Sequence, residues 1–226
     1  MTETTAGKSQ DKNLHVVIVL DRSGSMGQIQ QSTIDAFNDF IEKQRKEPGA
    51  DTTFFSLYLF ADEVERLWSD IPVGRVTNLT HSNYHPNGRT ALLDAVATAI
   101  KETDQWQEGE VLVVILTDGQ ENASQHYDFA TVRDCVLNNS TEDFEIIWLG
   151  SDARSRQFAV LLGIPPENIE IFKITEEGIR DSYNKISDSV SLKKQSGSTS
   201  GWKDGVAAPA TSVRKPAHGK KHSKRP

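Results

Sequence analysis

The chain has a single cysteine, Cys135, in 226 residues. One thiol excludes an internal disulfide framework and fits a reducing compartment. No apolar run approaches the roughly 20 residues of a membrane-spanning helix. The segment from Met1 to Lys12 is polar, carries acids and lacks the apolar stretch of a secretory signal, so a cytoplasmic location is expected. Asn78 and Asn122 head Asn-X-Ser/Thr triplets, which carry no meaning without a secretory route. No G-x-S-x-G elbow surrounds Ser23, which argues against a serine hydrolase. The pair His81 and His85 has helical spacing, but Pro86 and Gly88 oppose a helix there, and zinc binding is the weaker reading for it. The same holds for His218 and His222 in the polar tail, while His126 reads as a solvated loop residue.

Charge is unevenly shared. Residues 193–226 hold nine Lys/Arg against Asp204, a net +8, which leaves −15 on residues 1–192. Such a tail suits phosphate contacts with nucleic acid, but Trp202 is its only aromatic, so it lacks base-stacking side chains. A solvated extension, or a tether for an acidic surface, is the better reading. Rich in Ser, Gly, Ala, Pro and Lys, it cannot bury enough apolar area to fold alone. The expected organisation is a flexible segment 1–12, one folded domain 13–190 and a disordered basic tail 191–226, a size suited to a single core.

Within that domain, apolar runs alternate with helical periodicity. Strands are expected at Leu14–Leu20, Thr52–Phe60, Val64–Trp68, Val111–Leu116, Phe144–Gly150 and Ile169–Ile174. Helices are expected over Gln28–Lys46, Thr90–Gln105, a stretch around Phe129–Leu137, Arg154–Leu162 and a last one carrying Ile179, Tyr183, Ile186 and Val190. Only Ala61-Asp62-Glu63 separates the second and third strands, too short a link for a parallel crossover, so this pair is predicted to be an antiparallel hairpin at a sheet edge. Ile71–Arg89 is rich in Pro, Gly, Asn and His and reads as an irregular loop. The class is α/β, a doubly wound, Rossmann-like, mainly parallel six-stranded sheet with one antiparallel edge strand and helices on both faces.

Three fragments stand where loops leave strands or enter helices: Asp21-Arg22-Ser23-Gly24-Ser25, Gly88-Arg89-Thr90 and Thr117-Asp118-Gly119. Asp21 and Asp118 each close an apolar run, at the carboxyl ends of buried strands, where open α/β sheets bind ligands. Asp21, Ser23, Ser25, Thr90 and Asp118 offer only oxygen donors, which suit magnesium, manganese or calcium. Two charges among five donors leave a divalent ion barely neutralised and able to accept an outside carboxylate. Taken singly, Asp21 and Thr90 read equally well as helix caps. Asp94 reads as a helix residue supporting the loop, and Asn122 as a loop support or a plain turn residue.

The D-x-S-x-S, Thr and Asp-Gly set, in this order, resembles the metal-ion-dependent adhesion site of von Willebrand factor A domains, and all five positions match. Tyr84–Ala95 is similar to the threonine loop of small stand-alone bacterial and phage members. The resemblance covers roughly residues 12–190. It implies strand order 3-2-1-4-5-6 and a non-catalytic, magnesium-dependent protein-binding module whose metal is completed by an Asp or Glu of a partner protein, with an adaptor in a bacterial or phage complex as one such use. Loops Ile71–Arg89 and Gln120–Asp128 would set specificity. The competing reading is a magnesium phosphohydrolase of haloacid-dehalogenase type. Those enzymes resemble a D-x-D pattern, and this chain has Ser23 in place of the second Asp.

Overall fold

The computed structural model describes residues 12–204. Strands β1 (Asn13–Asp21), β2 (Thr53–Phe60), β3 (Val64–Pro72), β4 (Gly109–Thr117), β5 (Phe144–Gly150) and β6 (Ile169–Ile171) form one sheet. Helices α1 (Gln30–Lys46), α2 (Leu92–Thr103), α3 (Phe129–Asn139), α4 (Ala153–Leu162) and α5 (Glu176–Ser196) cover its two faces. The spatial order is β3-β2-β1-β4-β5-β6. All neighbours are parallel except β2 and β3, which form the expected antiparallel edge hairpin. This is the doubly wound sheet read from the alternation of strands and helices.

β1 and β4 lie at the centre, and their near-continuous apolar runs follow from burial on both faces. Period-two alternation splits the side chains of β1 between two cores. Val16, Ile18 and Leu20 pack with Phe37 and Ile41 of α1 and Ile179 and Ile186 of α5. Val17 and Val19 pack with Val96 and Ile100 of α2, Val132 of α3 and Leu162 of α4. Full burial of each such side chain contributes about 1.5–3 kcal/mol, so register is strongly fixed. Leu14 pairs with Thr53 on one side and Glu110 on the other, and the carboxyl ends of β1 and β4 finish side by side.

Three expectations need adjustment. The first helix begins with a 3-10 turn, Gly24–Ile29, and becomes α-helical only at Gln30. β6 stops at Ile171 instead of Ile174: Phe172 N–H still bonds to the Gly150 carbonyl, after which Thr175 caps α5 by accepting from Gly178 N–H at 3.1 Å. The boundary at residue 190 falls inside α5, which continues to Ser196 and ends at Gly197 in the left-handed region, φ 73°. Lys193 is buried between Glu145, at 2.8 Å, and Glu110, at 3.7 Å. Trp202 is only 2 % exposed and donates its indole N–H to the Glu167 carbonyl at 3.2 Å. The composition of this stretch is polar, but the indole and the paired ammonium, with Thr199 donating to Glu145 and Lys203 to the Ile169 carbonyl, dock residues 191–204 on the domain. Residues 1–11 and 205–226, which carry most of the expected N-terminal segment and basic tail, lie outside the described residues.

Candidate metal centre

Five side chains from three loops meet at the carboxyl ends of β1 and β4. Asp21 is the last residue of β1 and is fully buried. Its Oδ1 accepts from Ser23 N–H at 2.7 Å, which bends the chain into the 3-10 turn, and its Oδ2 accepts from the Thr117 hydroxyl at 2.6 Å. Ser23 Oγ lies 3.1 Å from Ser25 Oγ, and the Ser25 hydroxyl donates to Asp118 Oδ1 at 2.7 Å. A chain of hydrogen-bonding contacts therefore links Asp21, through the backbone N–H and hydroxyl of Ser23 and then Ser25, to Asp118. Thr90 arrives from the second loop. A Cβ built on Gly119 would stand 2.7 Å from Thr90 Oγ1 and 3.3 Å from Asp21 Oδ2, so these groups crowd one point and residue 119 has no room for a side chain.

Local chemistry holds the loops. Gly24 N–H bonds to the Gly88 carbonyl and Asn87 N–H to the Arg22 carbonyl, joining the first loop to the second. Gly88 has φ 76°, and a Cβ there would fall 2.1 Å from Asp62 Oδ2, the carboxylate that pairs with Arg89. Glycine is needed on both counts. Asn122 Oδ1 accepts from Thr90 N–H at 2.9 Å and Asn122 N–H donates to the Thr90 carbonyl, which gives Asn122 the loop-supporting role. Asp94 supports the loop too: its carboxylate accepts the N–H groups of Gln125, His126 and Tyr127.

Three supports escaped the sequence reading. Thr117 holds the Asp21 carboxylate, Tyr84 donates its hydroxyl to the Asp21 carbonyl at 2.9 Å, and Ser151 donates to the Asp118 carbonyl at 2.9 Å. Tyr84, fully buried, anchors the irregular segment 76–89, which is shorter than the expected loop because Ile71 and Pro72 close β3 and Val73–Arg75 form a 3-10 turn. The available signal was an aromatic inside a Pro/Asn/His-rich loop. Glu121 was missed as well. Its carboxylate accepts from Leu93 N–H in the first turn of α2 and from Ala123 and Ser124 N–H in its own loop. His126 is exposed, and His81 bonds to Gln31 instead of to His85.

The electrostatics fit a cation. Burial pushes the Asp21 carboxyl up to about 6, partly offset by its bonds to Thr117 and Ser23, with the nearby Asp118 charge adding a little. Burial also raises Asp118. Among the described residues no lysine or arginine acts on either carboxyl. Asp118 Oδ2 is buried without a hydrogen-bond partner among the described residues. An unpaired buried carboxylate oxygen is costly, and a metal ion is the usual remedy. Among the described residues no three His, Cys, Asp or Glu side chains cluster, so the hydroxyls of Ser23, Ser25 and Thr90 would have to complete the shell. That composition favours a hard cation with retained water. Ser25 is exposed and Asp118 half-buried, which leaves one side of the site open to solvent.

Solved structures with the same fold include proximal thread matrix protein 1 from the mussel byssus with a zinc-occupied MIDAS motif (18% identity, TM-score 0.57, covering 78% of this chain and 45% of that one). Others are the PilB minor pilin of Streptococcus sanguinis (12%, 0.57, 82% and 63%) and the pilus adhesin SpaC of Lactobacillus rhamnosus GG (12%, 0.60, 80% and 30%). This chain thus spans less than two thirds of each of these proteins. No curated protein matches it in sequence. The family model for the von Willebrand factor type A domain, a metal-dependent protein-interaction module, matches residues 15–185. With that match spanning every strand but the first residues of β1, and with the sheet order and loop site in place, the chain belongs to the von Willebrand factor type A domain family.

Proposed function

We propose that this domain is a non-catalytic binding module in which Asp21, Ser23, Ser25, Thr90 and Asp118 hold a magnesium ion that captures an Asp or Glu side chain of a partner protein. The observation that carries the reading is the buried, partnerless Asp118 Oδ2 beside a desolvated Asp21, at a site with one open side. Two carboxylates neutralise a divalent ion only formally once hydroxyls and water fill the shell, and a third carboxylate gains most where water is excluded. Manganese and calcium offer the same oxygen chemistry. The sole thiol, Cys135, is compatible with work in the cytoplasm, as an adaptor in a bacterial or phage complex.

The phosphohydrolase reading finds no support in the geometry. Ser23 occupies the place of the second aspartate and its hydroxyl faces Ser25, so the first loop presents no general acid. A pull-down from cell lysate in magnesium or in chelator, with wild type beside Asp118→Ala, tests the proposal. A partner held only by wild type with magnesium supports it. A partner held equally in chelator overturns it.

A further inference from the structure

A groove of about 370 Å³ opens beside the metal centre, between α4 and the loop that follows Asp118. Gly119 lines it, and the same residue packs against Thr90 and Asp21, so groove and metal centre share a wall. Trp148, fully buried, lies beneath the groove, with its indole N–H satisfied by Ser155 Oγ at 2.9 Å. Phe158 and Leu161 of α4 form the far side, and Leu161, 55% exposed, is the most exposed large hydrophobic among the described residues. Arg154, also exposed, stands on the rim, and no carboxylate pairs with it among the described residues. Glu121, the groove's one acid, is tied to the backbone N–H groups of Leu93, Ala123 and Ser124 and to the Ser124 hydroxyl.

We infer that this groove is a second recognition subsite for the same partner: it takes a large aliphatic or aromatic side chain lying within a few residues of the metal-bound Asp or Glu, with a second acid of that segment against Arg154. This rests on the metal-capture reading above. The chemistry is complementary at each point. A cation and a guanidinium select acidic residues, and the apolar wall between them selects a side chain that loses water on entry. A carboxylate alone is present on every protein surface, so the groove supplies the discrimination that the ion lacks.

The test is a selection of random dodecapeptides displayed on phage, on wild-type protein in magnesium, followed by fluorescence polarisation with the enriched peptides. Expected are sequences with Asp or Glu at a fixed short spacing from Leu, Ile, Phe or Met. Leu161→Asp and Arg154→Glu should each weaken them about tenfold or more, the scale of burying one large side chain or pairing one charge. Both variants should keep wild-type thermal stabilisation by magnesium, since neither residue belongs to the metal shell. Metal-dependent peptides without the apolar position, or indifferent to both substitutions, overturn the groove proposal and leave metal capture standing. Peptides that bind Asp118→Ala or chelator-treated protein as well as wild type overturn metal capture, and this inference with it. A selection that yields no peptide separating wild type from Leu161→Asp also overturns it.

Discussion

The Thr117 hydroxyl donates to Asp21 Oδ2 at 2.6 Å, bridging the carboxyl ends of the two central strands. The bond stabilises the ionised carboxylate and opposes the effect of burial. Thr117→Val keeps the shape of the side chain and removes the donor. Its expected effect is a higher Asp21 pKa and a magnesium affinity about tenfold weaker, the scale of one hydrogen bond to a charged group. Isothermal titration of both proteins at pH 7 measures it, and unchanged affinity would show the bond to be irrelevant to the ion.

Metal binding should appear directly as stability. A ligand at 100 times its Kd contributes about 2.7 kcal/mol, and each kcal/mol moves Tm by about 2–4 °C at this domain size. Wild type should therefore melt roughly 5–10 °C higher in saturating magnesium than in chelator. Asp118→Ala should show no such difference, with its chelator Tm at or above that of wild type.

Acid should release the ion. The Asp21 carboxyl sits at about 6 without metal, so below that pH a proton competes for the same oxygens. Magnesium affinity should fall about tenfold per pH unit below 6, the slope for one competing proton. In chelator the sign for stability reverses. A carboxyl with a raised folded-state pKa stabilises the fold fully below its unfolded value near 3.8, and that contribution disappears as pH rises through about 6. Asp21→Asn should therefore stabilise the metal-free domain at pH 7.5, by about 2–3 kcal/mol at 1.36 kcal/mol per unit, while abolishing the magnesium response. Urea unfolding in chelator at pH 4.5 and 7.5 checks the sign.

Trp202→Ala should cost about 3–5 kcal/mol, as for other buried large aromatics. Lys193→Met should cost about as much, because Glu145 would be left partly buried without its cation, while Glu110 keeps only Lys12 at 3.3 Å. Neither should alter magnesium affinity, since both residues bond at the amino-terminal ends of β4, β5 and β6, whereas the metal loops follow the carboxyl ends of β1 and β4. Truncation after residue 190 should lower Tm sharply, whereas a domain ending at 190 predicts no change.

The strands were legible because both central ones are buried on two faces and write uninterrupted apolar runs, and because a three-residue link permits only a hairpin. The five proposed metal ligands were legible because each lies within two loops' reach of such a run, in an order that a family resemblance makes specific. What stayed hidden has no period. Tyr84, Thr117, Glu121 and Ser151 act through single long-range hydrogen bonds, to which neighbouring residues give no clue. Residues 191–204 were misread because composition averages over a window, and one Trp and one buried Lys carry little weight in an average though they take part in the docking. Gly119 marks a groove only once Trp148 and Phe158, distant in sequence, are known to stand beside it.

Asp21 and Asp118 come from strands that become neighbours only when β1 and β4 pair. An unfolded chain holds these carboxylates too far apart on average to chelate one ion, so the cation cannot guide early collapse. It joins a sheet already assembled and closes the last step. Its kinetic signature is then asymmetric: magnesium should slow the unfolding limb of a chevron and leave the refolding limb where it is.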